Sequence, residues 1–506
     1  MELWFCILSS LCICISLHGF LGLFPRKNLP PGPPTLPFLG AILWLLKSSN
    51  DFSSVEPVLR HLRSTYGDIV NLQIGSRPAI FVMSHAAAHE SLVRRPTAFA
   101  SRPLGLEASS VLFSGQRTVS TSAYTPLWRL LRHNLMAVIH PSRAGMYSDG
   151  RRWAWGLLKS QLLGIALQQA RPDDDGQATP IFDVLQLAMF SLLVYMCLGE
   201  KYDEQTIKEI IRVQRAATLN FVKFNVFNFM PWLMKIVLRS MWKELLQIRQ
   251  DQEKVLLPLI RSRVNKKDEL KEQDNFVAYA DTLRNLRLPD TGTVPDDGEM
   301  VSLCSEFIIA STDTSIGTMQ WVMANIVKYR HVHDRVLEEV DSVVDPDQEI
   351  CEDDLEKMHY LKAVVLETLR RHPPAHFIIP RAVTEDSVKL GGYDIPKDAI
   401  INYTVAEMGR DSQVWEDPME FRPERFMNEE FDLKGVREIK MMPFGAGRRM
   451  CPAITMAALH LRFYVANMVR DFEWSPEDVD MSEVQDFNTV MRTPLAVRIR
   501  PRARTT

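Results

Sequence analysis

Near the C-terminus, the stretch Phe444-Gly-Ala-Gly447-Arg448-Arg449-Met450-Cys451-Pro452-Ala453 places one cysteine between a glycine-rich turn and an apolar run with helical spacing. Glycine reaches positive φ without a Cβ penalty, so such a turn can aim successive backbone N–H groups at a single sulfur. Pro452 suits the first position of the helix that follows, whose positive end lowers the energy of a thiolate. The pattern predicts a sulfur anion presented as a metal ligand. For a cysteine considered alone, a buried structural thiol is the competing reading.

The N-terminal region sets a second constraint. Leu3 to Phe24 contains no Asp, Glu, Lys or Arg, and at about 1.5 Å per residue a helix of that length crosses the hydrocarbon of a bilayer. A cleaved signal would carry a basic start and a small-residue cleavage site. This run begins Met1-Glu2 and ends in Pro25-Arg26-Lys27, so an uncleaved anchor is expected over residues 1–25. The basic pair then leaves the C-terminal bulk in the cytosol. Leu29-Pro30-Pro31-Gly32-Pro33-Pro34 cannot be helical and reads as a stiff spacer inside a hinge over 26–40, which leaves 41–506 as the globular body.

That body can bury a large core, because 46% of the 506 residues are hydrophobic and 24% charged. The net charge of -3 gives no electrostatic footprint for nucleic acid. Seven cysteines in a chain this long, with Cys6, Cys12 and Cys14 inside the apolar run, do not form a disulfide framework and suit a reducing compartment. Helical periodicity dominates, and Val388 to Pro396 is the best short hairpin. The stretch Arg171 to Gly176 reads as a solvated loop, and a polar region from about 265 ends in Pro295-Asp296-Asp297-Gly298 before a long apolar helix from Met300 to Lys328. The expected fold class is mainly α with minor β.

Three further patterns carry chemistry. At the centre of the long helix, Ser311-Thr312-Asp313-Thr314-Ser315 puts small polar side chains where they compete for helix carbonyls and can open the ladder locally. A carboxylate there needs a task or a partner. Glu367 and Arg370 lie opposite the apolar face of Leu361, Val364, Val365 and Leu369, so periodicity alone makes them a solvated ion pair. Trp128 and Arg132 share one face of a helix, which alone reads as amphipathic with surface arginines.

The stretch from Phe444 resembles the haem-binding loop of the cytochrome P-450 family: Phe, two residues, Gly, any, Arg, any, Cys, any, Gly. Phe444, Gly447, Arg449 and Cys451 match; Ala453 stands at the last glycine. The other patterns follow in family order, and the loop and hinge are most similar to plant microsomal members. The resemblance implies a helix-rich haem domain with small antiparallel sheets and haem b (heme b, iron protoporphyrin IX) bound through Cys451. It implies haem-propionate contacts from Trp128, Arg132, Arg449 and, more weakly, Arg381. Asp313 would connect to the proton supply for bound dioxygen and Thr314 would hold the oxygen ligand or its water, with Ser311 replacing a glycine. It further implies that Glu367 and Arg370 are buried and joined by Arg425 of Pro423-Glu424-Arg425-Phe426 into a structural charge triad.

By the same resemblance the activity is that of a haem-thiolate monooxygenase in the endoplasmic reticulum membrane, single-pass, with a cytosolic catalytic domain. No dinucleotide fingerprint or flavin module occurs in the chain, so electrons would come from an NADPH-dependent cytochrome reductase. Arg129, Arg437, Lys440 and Arg448 are candidates for steering that acidic partner. Substrate contacts would come from Leu104 to Thr121, Phe221 to Met230, Ile308, Ser311, Phe377 to Ile379 and Thr489 to Met491, which suits a hydrophobic small molecule. Two rivals remain. One is a haem-thiolate isomerase or dehydratase without oxygen insertion, against which Asp313 and Thr314 argue. The other is a non-catalytic haem-binding protein, to which only Ala453 and Ser311 point.

Overall fold

A segment apolar on every side has to be a helix surrounded by other elements, and two segments of this chain have that character. One is the helix Phe182–Leu198, in which side chains from Leu185 to Leu198 are almost all buried. The other is Asp297–Lys328, which is buried along most of its length. They pack on one another at the centre of the molecule. The computed structural model describes residues 28–33, 56–72, 78–171, 177–228, 231–266, 276–345, 347–428, 430–475, 479–485 and 488–502. The expected anchor, and most of the expected loop from 171 to 176, lie outside the described residues.

The longer helices are α1 (Glu56–Tyr66), α2 (Glu107–Leu112), α3 (Pro126–Ile139), α4 (Ser148–Gln169), α5 (Phe182–Leu198), α6 (Glu204–Asn220), α7 (Arg239–Lys266), α8 (Asp297–Lys328), α9 (Arg330–Val343), α10 (His359–Arg371) and α11 (Ile454–Asp471). Helix α8 starts three residues earlier than the apolar pattern suggests. Asp296 caps it by accepting from Glu299 N at 2.7 Å, and Glu299 Oε2 accepts from Asp296 N at 2.9 Å, a reciprocal box that satisfies two end donors. Helix α5 stops at Gly199, whose φ of 77° supplies the left-handed cap. Around this pair, α4 covers α5, α7 lies on α6 and α8, and α9, α10 and α11 pack together against the far side of α8. Among the described residues no helix is long and apolar enough to cross a membrane.

The β-structure is small. Strands β1 (Ile69–Asn71), β2 (Ala79–Val82), β7 (Ile400–Tyr403) and β4 (Arg381–Ala382) form one sheet in that order; β2 and β7 run parallel and the other pairs antiparallel. Four two-stranded pairs complete it: β3 (Thr179–Pro180) with β11 (Ala496–Val497), β5 (Val388–Leu390) with β6 (Tyr393–Ile395), β8 (Phe472–Trp474) with β12 (Ile499–Pro501), and β9 (Glu483–Gln485) with β10 (Thr489–Met491). The β5–β6 hairpin is the one expected from sequence, and its two-residue turn, Gly391 (φ 56°) and Gly392 (φ 86°), has the positive dihedrals that match strand twist. The described part of the hinge, residues 28–33, is extended and bound to these strands: Asp394 N donates to Asn28 O at 2.7 Å and Asn71 N to Pro31 O at 2.8 Å.

The two largest apolar cores lie one among the helices and one under the main sheet. The cysteine loop runs along their seam. Met442 and Ala446 belong to the sheet core, while Phe444 and Ala453 pack on the helical core.

Candidate active site

The loop takes the shape its glycines permit. Gly445 and Gly447 have φ of 68° and 69°, and a Cβ on Gly447 would lie 1.9 Å from Leu92 O, so this turn approaches another backbone as only glycine can. Cys451 N donates to Phe444 O at 2.8 Å, closing the loop. Pro452 and Ala453 then form a turn, and α11 begins at Ile454, two residues after the proline expected at its first position. Ala453 has φ of -95°, so its methyl meets no backbone strain where the family pattern has glycine. Burial pushes the Cys451 thiol above its ordinary value, while the Ala453 N–H and the nearby Arg132 cation pull it down. A bound metal's charge settles such a contest by deprotonating the thiol outright.

Around that sulfur the chain gathers cations. Arg381 is 2% exposed on β4, Arg449 is buried beside the loop, Arg132 is half-buried on α3, and Arg102, which sequence reasoning missed, is buried after Ser101. Burial and mutual repulsion ease loss of a proton: Arg449 is down to about 9, through burial and then Arg381 and Arg132, and Arg381 is down to about 10. Arg102 donates to Ser120 O at 2.6 Å and to Ile379 O and Pro380 O at 2.5 and 2.8 Å. Arg449 donates to Ala100 O, to Val119 O at 3.2 Å and to Ser122 O at 2.6 Å. Arg381 differs: its Nε and Nη1 are buried with no hydrogen-bond partner among the described residues. The weakest of the sequence-predicted propionate contacts therefore has two buried donors free for an anion.

Trp128 serves the cluster through its ring. Its indole N–H donates to Val119 O at 3.1 Å, and the guanidinium carbons of Arg449 and Arg132 lie 4.7 and 5.8 Å from its ring centre. The carboxylate facing these cations is Glu306 of α8, which accepts from Val119 N at 2.9 Å, from Ser120 N at 2.6 Å and from Ser120 Oγ. Glu306 was not singled out in the sequence, although an acid in the apolar run Cys304 to Ala310 raises the same question as Asp313. One carboxylate cannot balance four arginines, and an unpaired buried guanidinium is costly. Haem fits the donor set: a flat apolar group with two carboxylates beside the arginines and an iron at the sulfur.

The centre of α8 stays helical through Ser311 to Ser315, without the local opening that such side chains can cause. The hydroxyls bond back to the preceding turn instead: Ser311 Oγ to Phe307 O at 2.5 Å, Thr312 Oγ1 to Ile308 O at 2.9 Å and Thr314 Oγ1 to Ala310 O at 2.8 Å. Asp313 is half-buried; burial pushes its carboxyl up, opposed by Arg215 and a hydrogen bond from Thr218 of α6.

The ion pair that periodicity reads as solvated is wholly buried. Arg370 holds Glu367 bidentately, Nε to Oε2 and Nη2 to Oε1 both at 2.7 Å, with side chains 0% exposed. Arg425 lies 3.5 Å from Glu367 Oε1, and Arg422 N donates to the same oxygen at 2.9 Å. Periodicity fails here because the covering elements come from far along the chain: Arg370 Nη1 also donates to Gly409 O and Pro418 O. Of the expected substrate contacts, Ile308 belongs to the helical core and Phe377 turns its ring onto Phe81, while Thr489 is buried on β10 against α8. Arg129 and Arg448 are exposed and flank the Tyr124 ring at 5.1 and 5.9 Å.

The chain was compared with known proteins. A family model described as cytochrome P450 matches residues 30–500. Cytochrome P450 89A9 of Arabidopsis thaliana is 42% identical over 517 residues, covering 98% of each chain. (+)-Menthofuran synthase of Mentha piperita is 30% identical and covers 94% of each. A zebra fish cytochrome P450 solved with progesterone superposes with a TM-score of 0.74 at 21% identity, over 89% of this chain and 100% of that one, and so shares its fold.

Proposed function

Because the chain belongs to the cytochrome P450 family, whose members here include plant synthases and hydroxylases, we propose that it is a membrane-anchored haem-thiolate monooxygenase acting on a hydrophobic small molecule with electrons from an NADPH-dependent reductase. The observation that carries this reading is the pairing of Cys451, on its positive-φ loop, with a buried arginine cluster in which Arg381 Nε and Nη1 have no hydrogen-bond partner among the described residues. When bound there, haem supplies dioxygen activation, with one oxygen atom entering the substrate and the other leaving as water.

The residues of the chain then have separate tasks. Cys451 Sγ would ligate the iron, and Arg381 and Arg132 would take the carboxylates with Arg449 and Arg102 as close electrostatic support. Asp313, whose carboxyl burial pushes up, would pass protons between α8 and α6. Thr314 Oγ1 already donates to Ala310 O, so what it offers the site is an acceptor. Anchoring is supported by the run from Leu3 to Phe24 and by the exposed apolar face of the helix Pro231–Val237, where Trp232, Ile236 and Val237 are more than half exposed.

Reconstitution of the full chain in vesicles with haem and a plant NADPH-dependent reductase tests the reading. NADPH-dependent dioxygen consumption stimulated by a hydrophobic compound is the expected result. Turnover of organic peroxides without NADPH, and no oxygen uptake with it, would overturn it in favour of an isomerase or dehydratase.

A further inference from the structure

One half-buried carboxylate ties together two segments that approach the site from different parts of the chain. Glu483 opens β9, and its oxygens meet three side chains: His372 Nδ1 at 2.5 Å, Arg410 Nη2 at 2.6 Å and His376 Nε2 at 3.1 Å. His372, just past α10, stacks on Trp321 of α8 with ring centres 4.0 Å apart and planes within 2°. The chain thus links α8 through Trp321 and His372 to Glu483, and through Glu483 to the β9–β10 hairpin. On the other oxygen, His376 immediately precedes Phe377 to Ile379, and Val405 N donates to His376 O at 2.7 Å, fixing that segment to the end of β7.

The hairpin is fastened again at its far strand. Thr489 N donates to Pro374 O at 2.9 Å, and the space beside Gly317 of α8 is bounded by Thr489 O at 3.8 Å from where a Cβ would stand. Gly317 is less than one helical turn from Thr314. Burial pushes the Glu483 carboxyl up, but the two histidines and Arg410 hold it far below the usual carboxylate range, so it stays an anion with three donors.

We propose that Glu483 is a specificity-determining positioning residue: without touching substrate, it fixes Phe377 to Ile379 and Thr489 to Met491 relative to each other and to α8, and so sets the width of the space above the haem site. This rests on the monooxygenase reading, which places substrate there. A residue that only stabilised the fold would affect large and small occupants alike, whereas one that sets width discriminates between them.

The test uses full-length holoprotein and two nitrogen ligands of haem iron read by absorbance, clotrimazole as the bulky probe and imidazole as the small one. In Glu483→Gln, the loss of a charge-assisted contact should change clotrimazole affinity about fivefold or more and leave imidazole within about twofold. Backbone amides of Thr489 to Met491 should also exchange with deuterium faster. If Glu483→Gln does not fold, Glu483→Asp, which keeps the charge and shortens the reach, is read by the same ratio. A clotrimazole-to-imidazole ratio equal to that of the parent protein overturns the proposal. Absence of any imidazole spectrum in the parent protein overturns the haem-site reading itself, and the proposal with it.

Discussion

Arg381 shows how a buried residue can be a burden in one state and an asset in another. Its guanidinium is 2% exposed with two nitrogens unsatisfied, and Arg132, Arg102 and Arg449 repel it. In the apoprotein, Arg381→Met removes an unpaired buried charge, so apoprotein thermal stability should hold or rise. On the proposed reading the same change in the holoprotein removes a charge-assisted contact to a carboxylate, and haem transfer to apomyoglobin should accelerate by about tenfold. A parallel fall of both stabilities, with unchanged haem transfer, would show that Arg381 serves packing alone. Gly447 has the opposite character, because nothing in its chemistry matters except the missing Cβ. Gly447→Ala drives a methyl into Leu92 O at a φ of 69° and should cost at least about 2 kcal/mol on thermal unfolding, while Ala453→Gly should leave haem content unchanged. A parent-like thermal midpoint in Gly447→Ala would contradict the close approach.

At the scale of elements, what the sequence makes readable is whatever is written within a few residues. The Gly391-Gly392 hairpin turn and the positive-φ turn before Cys451 depend on neighbours in sequence, and each is found where local rules put it. Long-range cover is not written locally. Glu367 and Arg370 occupy the polar face of α10 by periodicity, but Gly409, Pro418 and Arg422 close over them from about 40 to 55 residues on. For the same reason Glu306 and Arg102 escaped notice: their partners at 119–120 and 379–380 are loop backbone with no side-chain signature. Because Glu367 is 0% exposed and accepts from both Arg370 and Arg422 N, Glu367→Gln leaves the Arg370 charge stranded. It should cost about 3–5 kcal/mol by calorimetry, and a loss below about 1 kcal/mol would restore the solvated-pair reading.

Across the whole molecule, buried histidines set how the protein meets acid. His372 and His460 are almost wholly buried, and burial, opposed for His372 by Glu483, lowers them to about 4 and about 3. Below the ordinary histidine value of about 6.5 the unfolded chain takes up protons that the native state refuses, so stability falls as pH drops from there toward the folded values. Each histidine contributes a slope of up to about 1.4 kcal/mol per pH unit, and His460→Gln should remove one of the two. Urea midpoints between pH 7.5 and 5 read this directly; a flat profile would show that both sites admit protons freely. The account as a whole rests on Cys451 and iron. The reduced carbon monoxide complex of the full-length holoprotein should show the red-shifted Soret band of thiolate ligation, and Cys451→Ala should abolish that band while Cys351→Ala keeps it. A thiolate band that persists in Cys451→Ala, or one that never forms in the parent protein, would contradict the assignment.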